Sequence, residues 1–160
     1  MLAPMRILLA VLAALVGMSC MGLTVSLVEA LGHAMFPPSA EMLAALDKLQ
    51  AGDPSGREAV EAALPTMPFG AFASIVLAWV LGAVVGPGSA CIIHGAFTKS
   101  LTAPTCRRFG IGFAVLNALA CIANVVGFPS PAWMVAVGTV LPPVASLLVG
   151  FRMAANRPAA

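Results

Sequence analysis

Four long apolar runs decide what this chain can fold into. They cover about residues 7–31, 69–97, 109–128 and 131–151. A bilayer core about 30 Å thick is crossed by roughly 20 mostly apolar helical residues, and every run is of that order. Water offers no alternative home for them. Only 9% of the 160 residues are charged and 61% are hydrophobic, whereas soluble domains average about 25% and 45–50%. The same numbers exclude a disordered chain, a collagen-like chain and a disulfide scaffold. The runs are continuous and rich in Ala, Leu and Gly, unlike the alternating segments of about ten residues that build a membrane barrel. The sequence therefore predicts an all-α, polytopic integral membrane four-helix bundle. It reads as a single transmembrane domain carrying a short helical periplasmic loop over about residues 33–68.

The scarce charges give an orientation. Arg6 precedes the first run, Lys99, Arg107 and Arg108 separate the second from the third, and Arg152 and Arg157 follow the fourth. Four spans place all six on one side, which the excess of lysine and arginine marks as cytoplasmic, with both termini. The opposite side holds Lys48 and Arg57 among Glu41, Asp47, Asp53, Glu58 and Glu61. The net charge of +2 is thus a basic inner rim plus an acidic outer loop. Membrane orientation accounts for the rim without nucleic acid. The first run has a basic residue and a Gly17-Met18-Ser19-Cys20 stretch that leave a cleaved signal peptide as the alternative. Its apolar length exceeds the 7–15 residues of a signal core, which favours a retained span.

The outer segment reads as two short amphipathic helices. Phe36-Pro37-Pro38 stops the first span, since proline disfavours a helical residue before it. Ser39 caps a helix to about Gln50, Ala51-Gly52-Asp53-Pro54 forms a turn, and Ser55-Gly56-Arg57-Glu58 matches a capping box that opens a helix to about Leu64. Such a pair serves either as a lid over the helix ends or as a docking surface for another protein.

Small and polar residues recur at helical spacing along the spans. Ser19, Gly22, Ser26, Glu29 and His33 share one face of the first. Ser74, Ala78, Gly82 and Gly86 repeat every fourth residue on the second. Asn117 and Cys121 mark the third, and Thr139, Pro143 and Ser146 the fourth. Such stripes let helices approach closely in lipid and bond across the contact. The expectation is that these faces turn inward as a packing seam. Pro142-Pro143 is expected to kink the fourth span, and Gly86-Pro87-Gly88 to interrupt the second.

Glu29 and His33 form the sharpest pair, one helical turn apart. Depth counting sets Asn124 and Trp133 at the same level, so Glu29, His33, Asn124 and Trp133 make a candidate polar cluster. Three readings stay open: a structural hydrogen bond, a contact with a partner or lipid, and proton or cation chemistry. No other constellation carries chemistry. His94 lies a membrane thickness from His33, so the two share no metal. Cys20, Cys91, Cys106 and Cys121 contain no paired CxxC motif and avoid the outer loop, where oxidation would occur. No catalytic triad, zinc spacing or phosphate-binding loop is present, and no cofactor is called for.

Val28-Glu29-Ala30-Leu31-Gly32-His33-Ala34-Met35-Phe36-Pro37-Pro38 resembles the signature of a group of small, uncharacterised bacterial four-span membrane proteins. Further matches follow in order at Leu64-Pro65, at Leu77-Ala78-Trp79, at Ala123-Asn124, at Pro129-Ser130-Pro131-Ala132-Trp133 and at Leu141-Pro142-Pro143. The chain departs from that pattern in its long outer loop, at Pro87 and at Ser130. The resemblance implies a multi-pass protein of the bacterial inner membrane and implies no reaction. The functional expectation is a non-enzymatic accessory subunit that meets other membrane subunits or a second copy within the lipid bilayer. The alternative is a small proton-coupled transporter or ion-binding protein using Glu29 and His33, and a membrane enzyme ranks third.

Overall fold

A computed structural model describes residues 3–99 and 101–156. Arg157, assigned above to the basic rim, lies outside the described residues. Among these the chain is all helical: α1 (Ala3–Met35), α2 (Ala40–Gln50), α3 (Gly56–Ala63), α4 (Phe69–Thr98), α5 (Ala103–Gly127) and α6 (Ala132–Ala155), with one 3-10 turn at Leu64–Thr66. The helices α1, α4, α5 and α6 are long and apolar enough to cross a membrane, and they pack as a bundle. Their apolar runs bury little against the protein and leave Leu23, Leu27, Ile92, Leu119 and Leu148 facing outward, which in water would be untenable and in lipid is ordinary.

Pairing is unequal. The helix α1 lies mainly along α4, α5 lies along α6, and α4 also meets α6 and, over a shorter length, α5. Ala13 of α1, Cys106 of α5 and Ala154 of α6 share one buried cluster, so the start of α1 and the end of α6 lie at one end of the bundle, its terminal end. Glycine sets two of the crossings. A side chain at Gly17 would strike the carbonyl oxygen of Gly86 at 2.6 Å. Gly110 and Gly150 bring the backbones of α5 and α6 into direct contact.

The proline-bearing spans stay unbroken, contrary to the expected interruption at Pro87, and neighbouring helices supply the reason. Pro87 has no N–H for the carbonyl of Ala83 four residues earlier. The buried hydroxyl of Ser146 donates to that carbonyl at 2.9 Å. Pro142 leaves the carbonyl of Gly138 without its helical donor in the same way, and the thiol of Cys121 donates to it at 3.1 Å. Asn117 Nδ2 completes the link by donating to Ser146 Oγ at 3.1 Å and to the carbonyl of Phe113 at 2.9 Å. One polar chain thus ties α4, α5 and α6 together where lipid would supply no partner.

The short pair α2 and α3 packs on itself through Met42, Ala45, Val60 and Ala63, and Phe128 at the end of α5 joins that core. Ser39 caps α2 by accepting from the amide of Met42 at 3.1 Å. The capping box at Ser55 and Glu58 does not form. Ser55 instead donates its amide and its hydroxyl to Asp53, each at 2.8 Å, and these bonds hold the Asp53 carboxyl below its usual range. Asp53 outcompetes because the turn at Gly52, with φ +73°, folds it back over the start of α3. Arg57 then reaches across to donate to the carbonyl of Val126 at 3.1 Å, which pins this lid to the end of α5.

Candidate functional site

The first and third spans converge at one end of the bundle and separate at the other. At the terminal end, Gly17 of α1 abuts the ring of Phe113 on α5. Toward the lid the two helices part, and a cavity of about 630 Å³ opens between them. Met21 and Val25 of α1, Phe72 and Ile75 of α4 and Met134 of α6 give it apolar walls, while Leu46 of the lid and Phe128 lie at its mouth.

The polar groups of this cleft come from two sides. Ser26, Glu29 and His33 descend along α1, and Asn117 and Asn124 face them from α5. Helical periodicity explains the first set, which recurs at three and four residues on one face. Glu29 is half-buried and accepts a hydrogen bond from Trp79 Nε1 of α4 at 3.2 Å. His33 is exposed, and neither it nor Asn124 makes a side-chain hydrogen bond among the described residues. The structure therefore places Glu29, His33 and Asn124 around one cavity and keeps Trp133 out of it. Trp133 instead stacks on Phe69, with ring centroids 5.0 Å apart, and meets the edge of Phe72 at 6.5 Å.

Trp79 is the member that sequence reasoning missed. The available signal was chemical. An indole N–H in a span needs an acceptor, and Glu29 is the single acidic side chain within any of the four runs. Gly138 makes room for the ring, since a Cβ there would stand 2.8 Å from Trp79 Cζ3.

The seam residues divide. Gly82, Gly86, Asn117 and Ser146 are buried between helices, and Ser74 packs against Gly32. Thr139 turns back on its own helix and donates to the carbonyl of Val135 at 2.8 Å. Ser19, Gly22 and Ser26 differ from the inward placement expected of them. All three are exposed, Ser19 donating only to Leu15 of its own turn, and a Cβ at Gly22 would meet nothing within 4 Å. The packing stripe of α1 is offset to Ala13, Gly17 and Gly32, which leaves Gly22 and Ser26 along the open cleft. No group of three or more His, Cys, Asp or Glu is placed to hold a metal among the described residues. No family model, curated protein or solved structure matches the chain.

Proposed function

We propose that the chain is a non-enzymatic accessory subunit of the bacterial inner membrane, with both termini cytoplasmic, that seats a transmembrane helix of a partner subunit across the mouth of the α1–α5 cleft. One observation carries this reading: α1 is uncovered on its small-residue face. Only 11% of its most apolar stretch is buried, against 39% in α4 and 28% in α5 and α6. Lipid chains gain little from a line of serine and glycine, whereas an incoming helix approaches closely there and bonds to the hydroxyls. The resemblance of the Val28–Pro38 segment to bacterial inner-membrane proteins and the basic residues at the terminal end support the compartment and the orientation.

Gly22→Leu fills the seat without touching the fold, because the position faces open space. A partner purified at fixed stoichiometry with the wild-type chain in gentle detergent should be lost with Gly22→Leu and retained with Leu23→Ala on the outward face. Recovery that is equal for the two variants, or a wild-type chain that runs alone with no crosslinked partner in native membranes, would overturn the proposal.

A second reading rests on a separate observation, the convergence of Glu29, His33 and Asn124 on one cavity. It treats Glu29 as a proton or cation site. Liposomes holding the wild-type protein should then show proton flux that Glu29→Gln abolishes, and equal flux in the variant would sink it.

A further inference from the structure

The terminal end of the bundle holds a second cavity, of about 350 Å³, that neither reading uses. Ile7 and Ala10 of α1 and Phe109 of α5 give it an apolar wall, and Arg6 and Arg108 line it from opposite helices. Both arginines are exposed, and neither forms an ion pair or hydrogen bond among the described residues, where the single ion pair is Arg57–Glu61 on the lid. His94 of α4 closes the inner side. It is 8% exposed, its ring stands edge-on to Phe109 with centroids 5.8 Å apart, and its Nδ1 is buried with no partner. Such orphaned polar atoms are rare. The helix α5 starts in the same place. Its cap residue Thr102 makes no side-chain capping bond, and its hydroxyl pairs with that of Thr105 at 3.0 Å instead. The positive end of α5 is therefore open toward the two arginines.

We infer that this cavity binds the phosphate group of an anionic phospholipid. Unpaired guanidiniums match phosphate oxygens in geometry and charge, and the open start of a long helix adds amide donors of the same sign. His94, whose imidazole Nδ1 has no partner within the chain, lines the cavity beside them. The apolar wall selects a lipid over a free ion: Ile7, 67% exposed, faces the surroundings of the bundle next to the charges, where an acyl chain runs. Basic pockets between membrane helices hold lipid headgroups by this combination of charge and apolar contact.

The test is native mass spectrometry of the full chain released from nanodiscs of phosphatidylcholine, with or without phosphatidylglycerol. The wild-type protein should retain phosphatidylglycerol and not phosphatidylcholine. The double variant Arg6→Gln/Arg108→Gln should retain about thirtyfold less, the loss of two headgroup-binding charges. Arg107→Gln/Arg152→Gln removes the same charge from outside the cavity and should leave retention unchanged. Equal losses in the two doubles would mean diffuse surface attraction and overturn the site. Retention of phosphatidylcholine as strong as that of phosphatidylglycerol, or saturable binding of inorganic phosphate by the lipid-free protein, would overturn the lipid assignment.

Discussion

Gly150→Leu is expected to break the pairing of α5 with α6 and to be among the most destabilising single changes in the chain. A Cβ at Gly150 would stand 2.5 Å from Gly110 Cα and 2.9 Å from the carbonyl oxygen of Cys106, and one at Gly110 would stand 2.8 Å from Gly150 Cα. Backbone lies on both sides, so no rotamer relieves the clash and the helices must move apart. Overpacking typically costs about 1–3 kcal/mol and occasionally more, and this crossing belongs at the upper end. Separation also strains the bonds from Asn117 to Ser146 and from Ser146 to the carbonyl of Ala83, which bridge three helices nearby. Gly112→Leu is the control. It lies on the partner helix α5, two residues from Gly110, exposed, with nothing within 4 Å of an added Cβ. Both substitutions gain the same helix propensity, about 1 kcal/mol over glycine, so the difference in their unfolding midpoints in detergent isolates packing. Equal midpoints would show that the two spans do not cross through Gly110 and Gly150.

The spans were legible because hydropathy over about 20 residues is a property of the local chain, and partners barely alter it. Which face of a span packs is set by the neighbour, and there the sequence misleads. Ser19, Gly22 and Ser26 satisfy the helical spacing as well as Ala13 and Gly17 do. Only the position of α4 selects the second line, because Gly86 and Ala90 need a glycine opposite them. The prolines make the same point in reverse. Pro87 read locally is a break, and it is absorbed because Ser146, 59 residues further on, supplies the donor that the carbonyl of Ala83 lacks. The polar cluster was legible in part. Periodicity put Glu29 and His33 on one face, and depth put Asn124 level with them. Depth alone failed for Trp133, since a shared level says nothing about direction, and its ring turns to Phe69 and Phe72.

Glu29→Leu should cost stability that Glu29→Gln does not. Glutamine keeps a side-chain oxygen to accept from Trp79 Nε1, now 3.2 Å from Glu29. Leucine removes the acceptor and leaves an indole N–H unpaired between two spans, a loss of about 1–3 kcal/mol. Trp79→Phe removes the donor and keeps most of the ring, and should cost a similar amount. If the bond is the shared cause, the pair Glu29→Leu/Trp79→Phe is less damaging than the sum of the singles. The coupling is expected at about 0.6–1.7 kcal/mol, the range between the average and the largest hydrogen bonds measured between membrane helices. Trp79→Ala removes the ring as well, opens the contact with Gly138 and should cost about 3–5 kcal/mol. These values also separate the two functional readings. A Glu29→Gln protein that stays folded and keeps its partner, yet loses proton flux, assigns the carboxyl to chemistry. One that keeps both leaves Glu29 as the strut that holds α1 to α4 beside the open cleft. Zero coupling in the cycle would remove that strut as well, and α1 would then be held to α4 by close packing, at Gly17 against Gly86, Gly82 against Val25 and Gly32 against Ser74.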